Sequence, residues 1–178
     1  MDIKIFDNRI LAPSKCGSRH LSKCFDSKRW DFDNYDSLTH MIIRNPLEHF
    51  KSAIHTEYYN SDTDLQILIQ NCITDKGIGH WNPYTYQFLY KVLLSNPKIE
   101  VIELSNLSSF LISENYSLDY NQTEYDWSDI EDWMNKNELY QKITESYPYE
   151  INLIKTKIDL EFYFYDKLID KNISKTLI

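Results

Sequence analysis

The chain has 178 residues, three cysteines, three glycines and a formal net charge of -8, the size of one ordinary domain that can bury a core without metal or cross-links. Cys16, Cys24 and Cys72 form neither a disulfide framework nor a zinc spacing, so free thiols in a reducing compartment are expected. Residues 1–60 hold nine Lys/Arg against eight Asp/Glu and residues 61–178 ten against nineteen, which argues against a general nucleic-acid binder and directs a small anion to the first third.

In chain order, the N-terminus "MDIKIFDNRI" alternates charged with apolar residues, unlike a signal peptide, and no stretch reaches the length of a membrane span. A soluble, cytoplasmic, single-domain protein over 1–178 is expected. "IKIFDNRILA" (3–12) predicts a strand ended by Pro13, "SLTHMIIRNP" (37–46) a second over 38–43, and "KIEVIELS" (98–105) a third. Helical spacing follows each, over about 18–25, 47–59 and 107–113. Strand, turn and helix repeated three times read as an α/β fold with a parallel sheet.

Between the second and third strands, "NPYTYQFLYKVLLSN" sets Tyr86, Leu89, Tyr90, Leu93 and Leu94 on one helix face, with Asn82 as the cap and Pro83 at the first helical position. "DWSDIEDWMNKNELYQKI" and "EINLIKTKIDLEFYFYDKLID" predict two further helices, joined to the rest by the polar loop "SENYSLDYNQTEYD".

The turn after the first strand, "PSKCGSRHL", carries the first candidate site. A strand entering a helix through a tight turn aims backbone N–H groups and the positive helix end at one spot. Gly17 would let an anion approach the backbone, Lys15 adds a charge, and Ser18 with the first-turn amides adds donors. A loop glycine beside a solvated lysine is the competing reading. The order of residues is not that of a Walker A loop, because lysine precedes glycine, and no G-x-G-x-x-G occurs.

"PSKCGSRHL" followed by "RNPLEHFKSA" resembles the sulfotransferases that use 3′-phosphoadenosine 5′-phosphosulfate (PAPS), whose loop P-K-x-G-S/T-x-x-L holds the 5′-phosphosulfate and whose R-x-P-x-x-R-x-x-S segment holds the 3′-phosphate. "GHWNPYTYQF", "IEVIELSNLSSFL" and "LEFYFYDKLI" are similar, in the same order, to later segments of the carbohydrate sulfotransferase branch. The resemblance spans about residues 3–170. It implies a P-loop-like three-layer fold with a small central parallel sheet flanked by helices, and PAPS as co-substrate with no metal. It further implies Lys15, Cys16, Gly17, Ser18 and Arg19 around the 5′-phosphosulfate, Arg44 and Ser52 around the 3′-phosphate, and a hydroxyl acceptor, a saccharide. Three departures stand out: Ser14 separates Pro13 from Lys15, His49 occupies the place of an arginine, and only about 25 residues separate the two motifs.

Sulfuryl transfer requires an in-line nucleophile, charge stabilisation at the leaving oxygen and a base for the acceptor hydroxyl. Lys15 suits the bridging oxygen, where charge develops, and Arg44 can fork onto a phosphate. The base is His80, in the loop "GIGHWNP", or His20, in the first helix; Glu103 at a strand end is a third candidate. His40 reads as a packed strand residue, and His49 and His55 as surface positions on the second helix. Trp81, Tyr84 and Tyr86 are candidates for stacking on a sugar, although aromatics at helical spacing more often build cores. The acidic remainder of the chain favours a neutral glycan or small alcohol over an anionic polymer. Two other classes stay open: a non-catalytic nucleotide- or glycan-binding relative, and a small nucleotide kinase with an atypical loop.

Overall fold

The computed structural model describes residues 3–17, 21–22, 24–29, 35–61, 63–74, 76–114 and 127–176, with the helical backbone alone at 127–133 and 173–176. Five strands form one sheet: β1 (Ile3–Phe6), β2 (Ile10–Pro13), β3 (Ser27–Arg29), β4 (His40–Ile43) and β5 (Glu100–Glu103), in the order β3-β1-β2-β4-β5. Around them lie α1 (Pro46–Asn60), α2 (Leu65–Ile73), α3 (Thr85–Ser95), α4 (Leu107–Ser113), α5 (Trp127–Ser146) and α6 (Pro148–Thr176). The result is a mixed α/β fold with a central sheet flanked by helices.

The sheet is only partly parallel. β2, β4 and β5 run parallel, but β1 is antiparallel to both β2 and β3. The single strand expected over 3–12 is a hairpin, because Asp7 and Asn8 adopt positive φ (+49° and +55°) and Arg9 N–H closes onto the Phe6 carbonyl at 3.0 Å. Asp and Asn tolerate that conformation better than most L-residues, and a turn with two such central residues matches the twist of paired strands. β3 and α2 were not expected from the sequence. In α2, Asp64 accepts from the Gln66 N–H at 2.7 Å and Leu65, Leu68, Ile69 and Cys72 are buried, an amphipathic pattern two turns long.

β1, β2, β4 and β5 bury side chains on both faces, which is why they read as apolar runs, whereas β3, Ser27–Arg29, is exposed. Ile3, Ile5, Leu11, Met41, Ile43 and Val101 face α3 and Leu168 of α6. The alternate residues Phe6, Ile10, Ala12, Ile42 and Ile102 pack with Leu21, Phe25, Leu107 and Leu111 on the other side. A further apolar cluster unites α1, α2, α5 and α6 through Phe50, Ile54, Leu68, Ile143 and Ile158.

Helix α1 starts where expected, with Asn45 Oδ1 accepting from the Leu47 and Glu48 N–H groups and Pro46 at the first position. Helix α3 starts later than expected. Asn82 caps a separate turn, accepting from the Tyr84 N–H at 3.0 Å, and the Tyr86 N–H instead meets Glu161 Oε1 of α6 at 3.2 Å. A carboxyl group from another helix thus does the work expected of the local cap. The face of α3 is also rotated: Thr85, Tyr86, Leu89, Val92 and Leu93 are buried, whereas Leu94 is 53% exposed, because α3 packs between the sheet and α6.

The edge of β5 is closed by a side chain. Asn172 of α6 donates to the Val101 carbonyl at 2.9 Å and accepts from the Val101 N–H at 3.1 Å, replacing the next strand at that residue. The segment 115–126, expected to be a loop, lies outside the described residues. Among those described, no helix is long and apolar enough to cross a membrane.

Candidate functional site

β2 and β4 are neighbours and parallel, so their carboxyl ends deliver two loops to the same edge of the sheet, where open α/β sheets place their ligands. After β2, Cys16 N–H closes a turn onto the Pro13 carbonyl at 3.1 Å and Leu21 N–H starts a helical turn on the Gly17 carbonyl at 3.0 Å. Within this turn Lys15 adopts φ +64° and Gly17 φ +80°. A left-handed non-glycine residue costs about 1–2 kcal/mol, so the fold holds Lys15 in an unfavourable backbone state, a condition that recurs at functional turns. Gly17 has an internal reason as well. A Cβ there would lie 2.6 Å from Leu107 Cδ2 and 2.8 Å from Leu104 Cδ1, so leucine side chains fill the side expected to receive the anion. Ser18, Arg19 and His20 lie outside the described residues.

Arg44, at the end of β4, reaches across to this turn: its Nη1 donates to the Lys15 carbonyl at 3.0 Å. Tyr86 anchors the arginine from below, its hydroxyl accepting from the Arg44 N–H at 3.2 Å and donating to the Arg44 carbonyl. Cys16 is buried beside Tyr86, and burial pushes its thiol up to about 12, which makes it an inert packing residue.

Beyond Arg44, the carboxylate of Glu48 gathers cations: Lys136 Nζ at 2.8 Å, Lys51 Nζ at 3.1 Å and Arg44 Nη2 at 4.0 Å. Burial pushes the Glu48 carboxyl up, but the hydrogen bonds and charges of Lys136 and Lys51 outweigh it and hold the group below its ordinary value. One carboxylate among three cations leaves an excess of positive charge. Ser52 follows one turn along α1 from Glu48, its carbonyl accepting from Thr56 Oγ1 at 2.9 Å.

His49 is not on the surface as expected; it is 1% exposed. It lies on the core face of α1, edge-on to Tyr86 with 6.0 Å between ring centres. Burial, with Arg44 adding to it, lowers His49 to about 4, so the ring is neutral at pH 7. Its nitrogens lie near the backbones of Ser14 and His80, but neither closes a hydrogen bond among the described residues. The position that carries an arginine in the resembling motif therefore holds an uncharged ring, and Lys51 and Lys136 supply the cations.

His80 occupies a rigid turn. Ile78 and Trp81 exchange two backbone hydrogen bonds of 2.9 Å, with Gly79 and His80 between them. Nδ1 of His80 pairs with Ser14 Oγ at 3.1 Å, and Nε2 lies 3.8 Å from Glu57 Oε1. Gly79 makes room for that carboxylate, since a Cβ at 79 would meet Glu57 Oε1 at 2.5 Å. The structure thus brings Lys15, Arg44 and His80 to one edge, with Ser14 joining the first turn to the histidine.

No family model, curated protein or solved structure matches this chain. The likeness to sulfotransferases rests on the quoted motifs alone.

Trp81, expected at a sugar-stacking position, is 2% exposed and packs edge-on against Phe50 at 5.1 Å, so its ring belongs to the core. Tyr84, 38% exposed, keeps a surface. Glu103 accepts from the Tyr165 hydroxyl at 2.7 Å, and His40 is half-buried against Phe110 and pairs with Thr39 Oγ1 at 2.8 Å. His55 lies against Tyr59 with ring centres 4.6 Å apart and planes tilted by 45°. Two surface clefts, of ≈ 560 Å³ along β5 and ≈ 720 Å³ beside Tyr58, Tyr59 and Tyr147, are lined by none of Lys15, Arg44 or His80. Sequence reading missed Ser14, Glu57, Lys136 and Glu161. Of these, Glu57 had the nearest signal: it lies five residues past Ser52, on the same helix as Arg44's partner Glu48.

Proposed function

We propose that this chain is a PAPS-dependent sulfotransferase, with a P-loop-like nucleotide site, that transfers the sulfuryl group to a hydroxyl of a saccharide. One observation carries the reading: the 3.0 Å bond from Arg44 to the Lys15 carbonyl, which joins the two separately weak motifs at the carboxyl ends of adjacent parallel strands. The donor groups fit the co-substrate's charge. Lys15 and Gly17, with Cys16, Ser18 and Arg19 named by the motif alone, serve the 5′-phosphosulfate, and Lys15 meets the charge that grows on the bridging oxygen as the S–O bond breaks. Arg44 and Ser52, with Lys51 and Lys136 replacing the missing arginine, serve the 3′-phosphate. His80 accepts the acceptor proton, and Tyr84 contributes to the acceptor surface.

The nucleotide site is tested by thermal unfolding. Adenosine 3′,5′-bisphosphate should raise Tm more than AMP does, since only the former engages the Arg44 cluster; equal shifts would remove the 3′-phosphate site. Incubation with PAPS and, separately, with ATP and Mg²⁺ distinguishes the classes by product. Adenosine 3′,5′-bisphosphate marks a sulfotransferase, ADP a kinase, and binding without either product a non-catalytic relative.

A further inference from the structure

His80 Nδ1 meets Ser14 Oγ at the hydrogen-bonding distance of 3.1 Å, and Glu57 Oε1 stands 3.8 Å from Nε2, close enough to pair with the ring once it is protonated. A carboxylate at Nε2 favours the tautomer with its proton there, which leaves the lone pair on Nδ1 facing the Ser14 hydroxyl. Ser14 is 6% exposed and sits on that lone pair, so an acceptor hydroxyl brought to the serine would reach the histidine through it. Resting on the sulfuryl-transfer reading with His80 as base, we propose that Ser14 relays the acceptor proton to His80 and that Glu57 is the positioning residue that holds the ring for it.

The step balances. As the acceptor oxygen attacks sulfur, its proton passes to Ser14 Oγ while the Ser14 hydroxyl proton passes to His80 Nδ1. The bond between sulfur and the bridging oxygen breaks, and adenosine 3′,5′-bisphosphate leaves with that electron pair. His80 becomes an imidazolium facing Glu57, and Ser14 ends as it began.

Three features place the groups for this. Ser14 directly precedes Lys15 in the turn after β2, so the relay oxygen is one residue from the charge proposed for the leaving group. The Ile78–Trp81 turn fixes His80 by two backbone hydrogen bonds. Gly79 leaves room for the Glu57 carboxylate where it stands, since a Cβ there would meet Oε1 at 2.5 Å. Among the charged and titratable groups described around His80, Glu57 of α1 faces the ring, and His49, also from α1, lies near its backbone and is neutral.

The test combines PAPS turnover against pH with NMR titration of the His80 ring. Ser14→Ala should lower kcat by about 100-fold or more while the Kd for adenosine 3′,5′-bisphosphate changes less than about 3-fold, and Ser14→Thr should restore most of the rate. Glu57→Gln should lower both the His80 pKa by NMR and the acidic limb of the rate profile, with Glu57→Asp intermediate. Ser14→Ala turning over at the wild-type rate would overturn the relay, and an unmoved His80 pKa in Glu57→Gln would overturn the positioning role. A wild-type chain that fails to turn over PAPS, even while Glu57→Gln shifts the His80 pKa, would remove the sulfuryl-transfer reading and the relay with it.

Discussion

Glu161 and His49 are both buried against Tyr86, and their ionisation should shape stability in opposite directions. Glu161 is 0% exposed, with Oε1 on the Tyr86 N–H and Oε2 without a partner among the described residues; burial raises its carboxyl from 4.5 to about 8. The unfolded chain releases this proton near pH 4.5 while the folded chain keeps it to about pH 8. Stability therefore falls as pH rises through that window, by about 5 kcal/mol at about 1.4 kcal/mol per unit. His49 works the other way. Burial lowers it from 6.5 to about 4, so the unfolded chain binds the proton first and stability falls by about 3 kcal/mol as pH drops through that window.

Between pH 4.5 and 6.5 the two slopes cancel, and from there to pH 8 the Glu161 slope acts alone, removing about 2 kcal/mol. Urea unfolding at intervals from pH 4.5 to 8 measures this directly. Glu161→Gln keeps the bond to Tyr86 N–H and should gain stability over wild type progressively toward pH 8. His49→Leu forfeits no hydrogen bond to a described residue and should gain toward low pH. Parallel stability curves for wild type and Glu161→Gln across the whole range would refute the reasoning.

Cys16 and Cys72 are buried with thiols raised to about 12, so a thiol reagent at pH 8 should leave both unmodified in the native chain and reach them in denaturant; labelling followed by peptide mapping reads the outcome. Gly17→Ala should destabilise the ligand-free chain by about 1–2 kcal/mol through its positive φ, measured by urea unfolding; unchanged stability with lost nucleotide binding would return Gly17 to a purely anion-binding role. Asn172→Ala leaves the outer N–H and C=O of Val101 without their partner and should cost about 1–3 kcal/mol by the same assay. Arg44→Ala should weaken adenosine 3′,5′-bisphosphate binding by about 1.5–3 kcal/mol, whereas Glu48→Gln, which removes the competing carboxylate, should strengthen it in low salt; calorimetric titration distinguishes these from no effect.

Local chemistry made much of the architecture readable from sequence. The apolar runs at 38–43 and 98–105 announced β4 and β5, and Asn45-Pro46 announced the start of α1, because strand propensity, proline geometry and capping act within a few residues. The hairpin was also written locally, in Asp7-Asn8, although the run 3–12 read as one strand. What lay beyond the sequence was set by contacts between distant segments. Glu161 displaced the expected cap of α3, Asn172 closed the edge of β5, leucines 104 and 107 occupied the space beside Gly17, and His49 went inward rather than to the surface. The motifs that named Lys15, Arg44 and His80 were legible singly. Their convergence was not, because the Ser14 to His80 pair spans 66 positions, and only the parallel pairing of β2 with β4, with the helices packed against that sheet, brings such residues within hydrogen-bonding distance.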